Sequence, residues 1–306
     1  MASSREPEPE GVADRLISAL VDEGRFVDDG NFSLDPSKAL EKLRGFQLAE
    51  PHAYVLLLVE AAVIAGASSV ELSCGPTTIA EYVGTPLTRT ELENVFNAVF
   101  VATDALAGEA LAVARIQQLF GVAANAALSL GPRRIEIESC DREGRVHRVT
   151  IANGAGIACE RVEDRPSIVG RTRFCVVDDR DSDRDDREVA LIRERCHFSN
   201  FTINLYGRPM NAGHRRALVG LRTERVRLTD GTSIGLAGLR PEREPAKLLL
   251  LTRGVLAETL TLERARPGFL AVVEVDLRKD LSQRGVLRGP EFDEVLAAVL
   301  RAHARV

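Results

Sequence analysis

The chain has 306 residues, 45% of them hydrophobic, with no tryptophan and a formal net charge of −5. That length suits about two domains, the apolar share excludes a chain disordered throughout, and the acidic balance excludes a general attraction to nucleic acid. Cores must be built from Leu, Val and Ala.

In chain order, residues 1–10 read as a disordered polar tail, lacking the basic start and apolar core of a signal peptide. Val12, Leu16, Ile17 and Leu20 predict a short amphipathic helix over 11–23. Asn31 to Leu34 reads as extended, and Asp35 caps a helix that has Pro36 at its first position. Pro51 opens the central stretch, whose core is Tyr54 to Leu72, YVLLLVEAAVIAGASSVEL. Its first part is apolar on every side of a helical wheel except at Glu60, so it must be buried all round. Gly66 ends the helix, and Val70 and Leu72 restart the pattern as a strand. A carboxylate inside such a helix is either paired or functional, because an isolated buried charge is too costly.

A strand at 69–74 pairs with 78–83 through a Gly75-Pro76 turn. Thr88 and Glu91 form a capping box. Residues 105–130 are helical, with Gly108 and Gly121 inside. Arg134 to Cys140 alternates as a strand with one wet face, and 146–151, 156–162 and 171–177 continue its sheet. Asn153-Gly154-Ala155-Gly156 reads as a hairpin turn, since no helix follows as a phosphate loop would require. The charge run from Asp178 to Glu188 reads as solvated and marks a domain boundary. Beyond it come the helix EVALIRERCHF, the strand FTINLY, strands within KLLLLTRGVLAETLTLE and GFLAVVEVDL, and a last helix from Pro290 to His303. Arg222, Arg225, Arg227, Arg240 and Arg243 read as a solvated face with interleaved acids. The division expected is a tail at 1–10, a first domain at 11–178 and a second at 179–306.

The five cysteines (Cys74, Cys140, Cys159, Cys175 and Cys196) are scattered, odd in number and without a CxxC pair. That pattern suits reduced thiols in a cytoplasm. Neither they nor the histidines have ligand spacing, so no metal is expected. No uncharged apolar run reaches the roughly 18 residues that span a bilayer, so no membrane partner is expected.

Four stretches, in order over roughly residues 30–207, carry a family resemblance. They are LVEAAVIAGASSVEL, QQLFGVAANAALSLGPRRIEIES, VGRTRFCVV, and the acidic run followed by EVALIRERCHFSNFTINLYG. Together they resemble the GHKL ATPase superfamily of Hsp90, MutL, type II topoisomerases and sensor histidine kinases, closest in layout to the Hsp90 N-terminal and middle domains. The resemblance implies an α+β chain: a two-layer sandwich of Bergerat type, then a smaller transducer-like domain. It also implies ATP with Mg²⁺ as the family's ligand. In the family the core helix supplies a Glu that activates water and an Asn that holds Mg²⁺, and those positions are Leu57 and Ala61 here. The adenine-recognising Asp position is Tyr82, and only Gly84 of that loop survives. The phosphate-side turn survives as Phe120-Gly121-Val122-Ala123. Thr172 matches the Thr that lies near the nucleotide.

The candidate pocket positions are therefore Ala61, Glu81, Tyr82, Gly84, Phe120, Gly121, Val122 and Thr172. Glu60 is either a substitute general base or a buried, paired acid. Glu81 either takes over adenine recognition or is an ordinary strand residue. Lys279, Gln283 and Arg284 lie where the family's second domain sends a residue back to the γ-phosphate; simple loop charges are the other reading. A leucine cannot abstract a proton and an alanine cannot ligate a metal. The expectation is a pseudo-ATPase that acts by binding or assembly, with nucleotide binding lost or weak. The alternatives are a divergent active ATPase and a plain interaction module. The partners expected are an unspecified protein and, from the superfamily's habit of dimerising, a second copy of the chain.

Overall fold

The computed structural model describes residues 25–26, 32–33, 48, 50–103, 105–152, 156–162, 168–178, 184–241, 244–280 and 285–306. The expected tail, the helices at 11–23 and from Asp35, the Asn153–Ala155 turn, Arg243, Gln283 and Arg284 lie outside these residues. A small antiparallel pair, β1 (Arg25–Phe26) and β2 (Phe32–Ser33), precedes the main body. A 3₁₀ turn at Pro51–Ala53 leads into α1 (Tyr54–Ile64). Next come β3 (Ser69–Ser73), β4 (Thr77–Val83), α2 (Arg89–Glu93), α3 (Val95–Ala98) and α4 (Gly108–Leu128). Then follow β5 (Arg134–Cys140), β6 (Val146–Ala152), β7 (Gly156–Val162), β8 (Arg171–Val177), α5 (Arg184–Cys196), β9 (Thr202–Leu205) and β10 (Arg208–Pro209).

These strands form one eight-stranded sheet in the order β10-β9-β3-β4-β8-β5-β6-β7. All its pairs are antiparallel except β3 with β9. The alternation read in RIEIESC extends across the whole sheet. One face carries Val70, Ala80, Phe174, Ile137 and Val149 into the core beneath α1 and α4. The other carries a polar row from strand to strand. Asn204 stands opposite Glu71, then come Glu81, Arg173, Glu138, Arg148 and Glu160. Opposite charges on facing residues stabilise such a ladder.

The sheet does not stop at the acidic run: β9 and β10 come from beyond residue 178, and α5 packs back onto α1. Arg184 and Glu188, read as part of a solvated run, are buried. The reason is spacing, because Arg184, Glu188, Leu191, Ile192 and Cys196 share the inward stripe of α5.

The second sheet is built from β11 (Thr223–Arg227), β12 (Ser233–Leu239), β13 (Lys247–Thr252), β14 (Val255–Thr261) and β15 (Phe269–Glu274), in the order β11-β12-β15-β13-β14. The short α6 (His214–Ala217) lies on one face and α7 (Pro290–His303) on the other. Covered on both sides, the central β15 can be FLAVVE, a run without alternation. By length and composition α4 could cross a membrane, but 56% of that window is buried inside the protein.

Candidate functional site

The apolar wheel of α1 is explained by its surroundings. The sheet lies beneath it, α4 and α5 flank it, and the β13–β14 turn of the second sheet sits on top. Its C-terminus is closed by a Schellman motif. Gly66 has φ 69°, its N–H donates to Val63 O at 3.0 Å, and Ala67 N–H donates to Ala62 O at 3.1 Å. Ala65 O would remain orphaned, but Thr85 N–H reaches it at 2.8 Å. That approach requires Gly84, because a Cβ there would stand 2.5 Å from Ala65 O. Gly84 therefore serves the seam between helix and strand.

Glu60 is fully buried. Lys279 Nζ donates to its Oε1, and Arg253 Nη1 lies 3.5 Å from Oε2. Lys279 side chain is itself only 4% exposed, so the charge pair is sealed from water. Both cations come from the second sheet's side of the molecule. Arg253 sits in the β13–β14 turn at φ 49°, a left-handed conformation unusual for a residue with a side chain. Gly254 follows at φ 80°, and a Cβ on it would stand 3.5 Å from Val59 and Val63 of α1. The turn is thus pressed onto the helix. Arg253 also bonds Asp276 at 2.7 Å, and Arg115 of α4 bonds Asp276 at 2.9 Å. One charge network therefore ties α1, α4 and the second sheet together. Each charge alone would cost several kcal/mol to bury.

The remaining expected positions scatter. Leu57, Ala61, Tyr82 and Phe120 are buried members of a single apolar cluster. Phe120 packs against Phe174 with ring centroids 5.5 Å apart. Phe120 to Ala123 do not form a turn; they lie within α4, and Gly121 is needed because a Cβ there would meet Val95 O at 2.3 Å. Val122 is partly buried against the same cluster. Thr172 is buried and hydrogen-bonds Ser139 at 3.0 Å, while Ser139 accepts Leu87 N–H at 3.0 Å. Tyr82, opposite Thr172 in register, keeps an Oη without a hydrogen-bond partner, and burial pushes its phenol far up. Glu81 points to the opposite sheet face, where Arg171 bonds it at 2.9 Å. Tyr82 and Glu81 therefore cannot share a pocket.

Sequence reasoning missed a second buried carboxylate. Glu188 of α5 accepts Tyr54 Oη at 2.6 Å and Thr78 Oγ1 at 2.6 Å, with Arg184 Nε at 3.2 Å. Burial pushes its carboxyl above the usual range, although these donors oppose the shift. The signal was the i, i+4 spacing of Arg184 and Glu188 ahead of Leu191 and Ile192. Near the α2 cap, a groove of ≈ 640 Å³ is lined by Pro86, Thr88, Glu91, Glu109, Asp141 and Arg142, among others. Its acids outnumber its cations, an unsuitable field for a triphosphate. Among the described residues, no group of three or more His, Cys, Asp or Glu side chains could hold a metal ion.

No protein-family model matches the chain, and no curated protein matches it. Among solved structures, the chain is similar to the crystal structure of the B-subunit of the DNA gyrase from Myxococcus xanthus. The TM-score is 0.55 at 14% identity, covering 88% of this chain and 95% of that one. The likeness thus spans both sheets, and the chain has an α+β fold like that of this gyrase subunit.

Proposed function

We propose that this chain is a GHKL-fold pseudo-ATPase, Hsp90-like in the layout of its two parts, that works by binding or assembly. The observation that supports this best is the sealing of Glu60. A general base must be reached by the water it activates, and Glu60 has 0% exposure with a cation against each oxygen. The residues at the family's working positions do not fit Mg²⁺-ATP. Leu57 and Ala61 offer no base and no metal ligand, Tyr82 is buried in the core, and Thr172 is bonded to Ser139. In this reading the carboxylate of Glu60 is the anion that Lys279 holds, so the second part stays docked on α1 without a nucleotide. The partner is a protein of unspecified identity or a second copy of this chain.

Calorimetric titration with ATP and Mg²⁺, run beside a phosphate-release assay, tests the reading. No turnover, with at most weak binding, is expected. Mg²⁺-dependent phosphate release that disappears in Glu60→Ala would overturn it.

A further inference from the structure

A second cleft, of ≈ 580 Å³, opens on the other side of the β13–β14 turn, lined among others by Asn200, His214, Arg215, Arg225, Ser233 and Glu274. His214 is 5% exposed. The tautomer of its neutral ring follows from its neighbours. The backbone N–H of His214 donates to Asn200 Oδ1 at 3.2 Å, which fixes the orientation of that amide. Asn200 Nδ2 then donates to His214 Nδ1 at 3.0 Å. A neutral ring accepting at Nδ1 must carry its proton on Nε2. That Nε2 faces Glu274 Oε2 at 3.3 Å, outside strict hydrogen-bond geometry but close enough that, against burial, it helps hold the Glu274 carboxyl below the usual range. Glu274 is held in place through its other oxygen, which accepts Gly254 N–H at 2.7 Å.

The rim is cationic. Arg215 and Arg225 are exposed, and among the described residues neither takes part in an ion pair. The surrounding chain adds Arg208, Arg216, Arg222 and Arg227 against a single acid, Glu224, which Arg305 approaches at 3.6 Å. Residues 208–227 are thus rich in arginine although the chain as a whole is acidic.

We propose that this cleft binds a small anionic ligand, a phosphate ester or carboxylate that also carries a hydroxyl or ammonium group. The acid group meets Arg215 and Arg225, whose guanidinium forks suit planar or tetrahedral oxyanions. The ligand's hydroxyl or ammonium sits at the back, donating to Glu274 Oε2, beside the His214 Nε2–H that faces the same oxygen at 3.3 Å. Glu274 disfavours a bare polyanion there, which selects the bifunctional class.

The test uses the full chain and three probes: glycerol 3-phosphate, serine and inorganic phosphate, each titrated by calorimetry into the millimolar range. Saturable binding of at least one bifunctional probe, tighter than inorganic phosphate, is expected. Arg225→Ala and Arg215→Ala, both at exposed sites, should each weaken it about tenfold or more, as loss of a charged hydrogen bond does. The His214 Nε2–H resonance in ¹⁵N-labelled protein should shift on binding. Failure of both bifunctional probes to bind, or binding indifferent to both arginine variants, would overturn the proposal. Binding by an oligonucleotide alone, with the steep salt dependence of phosphate contacts, would overturn it too. None of these outcomes depends on whether ATP is hydrolysed.

Discussion

Two regions of this molecule treat charge in opposite ways. At α1, the carboxylate Glu60 is paired with Lys279 through Oε1 and approached by Arg253 at Oε2, and Arg253 in turn bonds Asp276. At the His214 cleft, two guanidiniums have no ion pair among the described residues, and a buried ring nitrogen faces Glu274 Oε2 at 3.3 Å without hydrogen-bond geometry. The regions share the β13–β14 turn: Arg253 serves the first, and Gly254 N–H anchors Glu274 in the second. The contrast teaches that the acid and cations at α1 are paired inside the protein, while the neighbouring surface keeps exposed guanidiniums without ion pairs among the described residues. A group whose needs are met inside the protein stabilises; a group whose needs are unmet is available to a ligand.

The largest effect should come from breaking the closed pair on one side only. Lys279→Met leaves Glu60 buried with Arg253 at 3.5 Å as its remaining cation. A loss of about 3–5 kcal/mol in urea unfolding is expected. Adding Glu60→Leu should recover most of that loss, because a packed apolar pair of similar volume is often neutral or stabilising. If Lys279→Met costs nothing, the two regions do not differ as described. By contrast, Arg225→Ala in the open cleft should change stability by less than about 0.5 kcal/mol.

Gly121→Ala probes closure from the packing side. In an exposed helix the change would be worth up to about 1 kcal/mol in propensity. Here the new methyl meets Val95 O at 2.3 Å and Val99 Cγ2 at 2.5 Å, so α3 must move. A net loss of about 1–3 kcal/mol is expected from overpacking. A stabilised variant would mean that the α3–α4 seam is loose enough to open.

Asp141 offers a pH measure of a carboxylate whose partners are all internal. Burial raises its carboxyl, but the Arg145 backbone N–H, the Arg145 guanidinium and His147 outweigh that and lower it from 3.8 to about 2. With the folded value below the unfolded one, its stabilisation is present above pH 3.8 and is lost as pH falls through about 2. In thermal melts across that window, Asp141→Asn should lose less stability on acidification than the parent does. Equal slopes would show that other carboxylates govern the acid limb.

Much of this arrangement was legible because it is local. The run VLLLV announced a helix covered on all sides, Thr88 and Glu91 form the expected capping box, and RIEIESC is the expected strand, although its wet face ends at Glu136 and Ile137 to Cys140 are all buried. What escaped depends on distant partners. Nothing within FTINLY says that β9 will lie parallel to β3, since the pairing is made more than a hundred residues away. Lys279 reads either as a residue sent back toward the γ-phosphate or as a loop charge, because its burial is set by Glu60 of another element. Gly121 read as part of a turn, whereas it is a point of close approach inside a helix. Glu188 was hidden by the charged residues around it, though its spacing to Leu191 and Ile192 marked the buried stripe.

A small effect is the most discriminating for the region around α1. Tyr82 stands where the resemblance puts adenine recognition, yet its Oη is buried and unpartnered. Thr172, its neighbour across the strands, already bonds Ser139 and does not complete a hydrogen bond to the phenol. An unmet buried hydroxyl costs free energy, so Tyr82→Phe should leave stability unchanged or raise it by about 1 kcal/mol. If the hydroxyl instead contacts a nucleotide, the variant gains nothing in the absence of ligand and loses the ATP-dependent rise in Tm that the parent shows. Melting both proteins with and without Mg²⁺-ATP separates these cases. A hydroxyl spent on nothing belongs to a filled core, and one that ATP protects would reopen the site at α1.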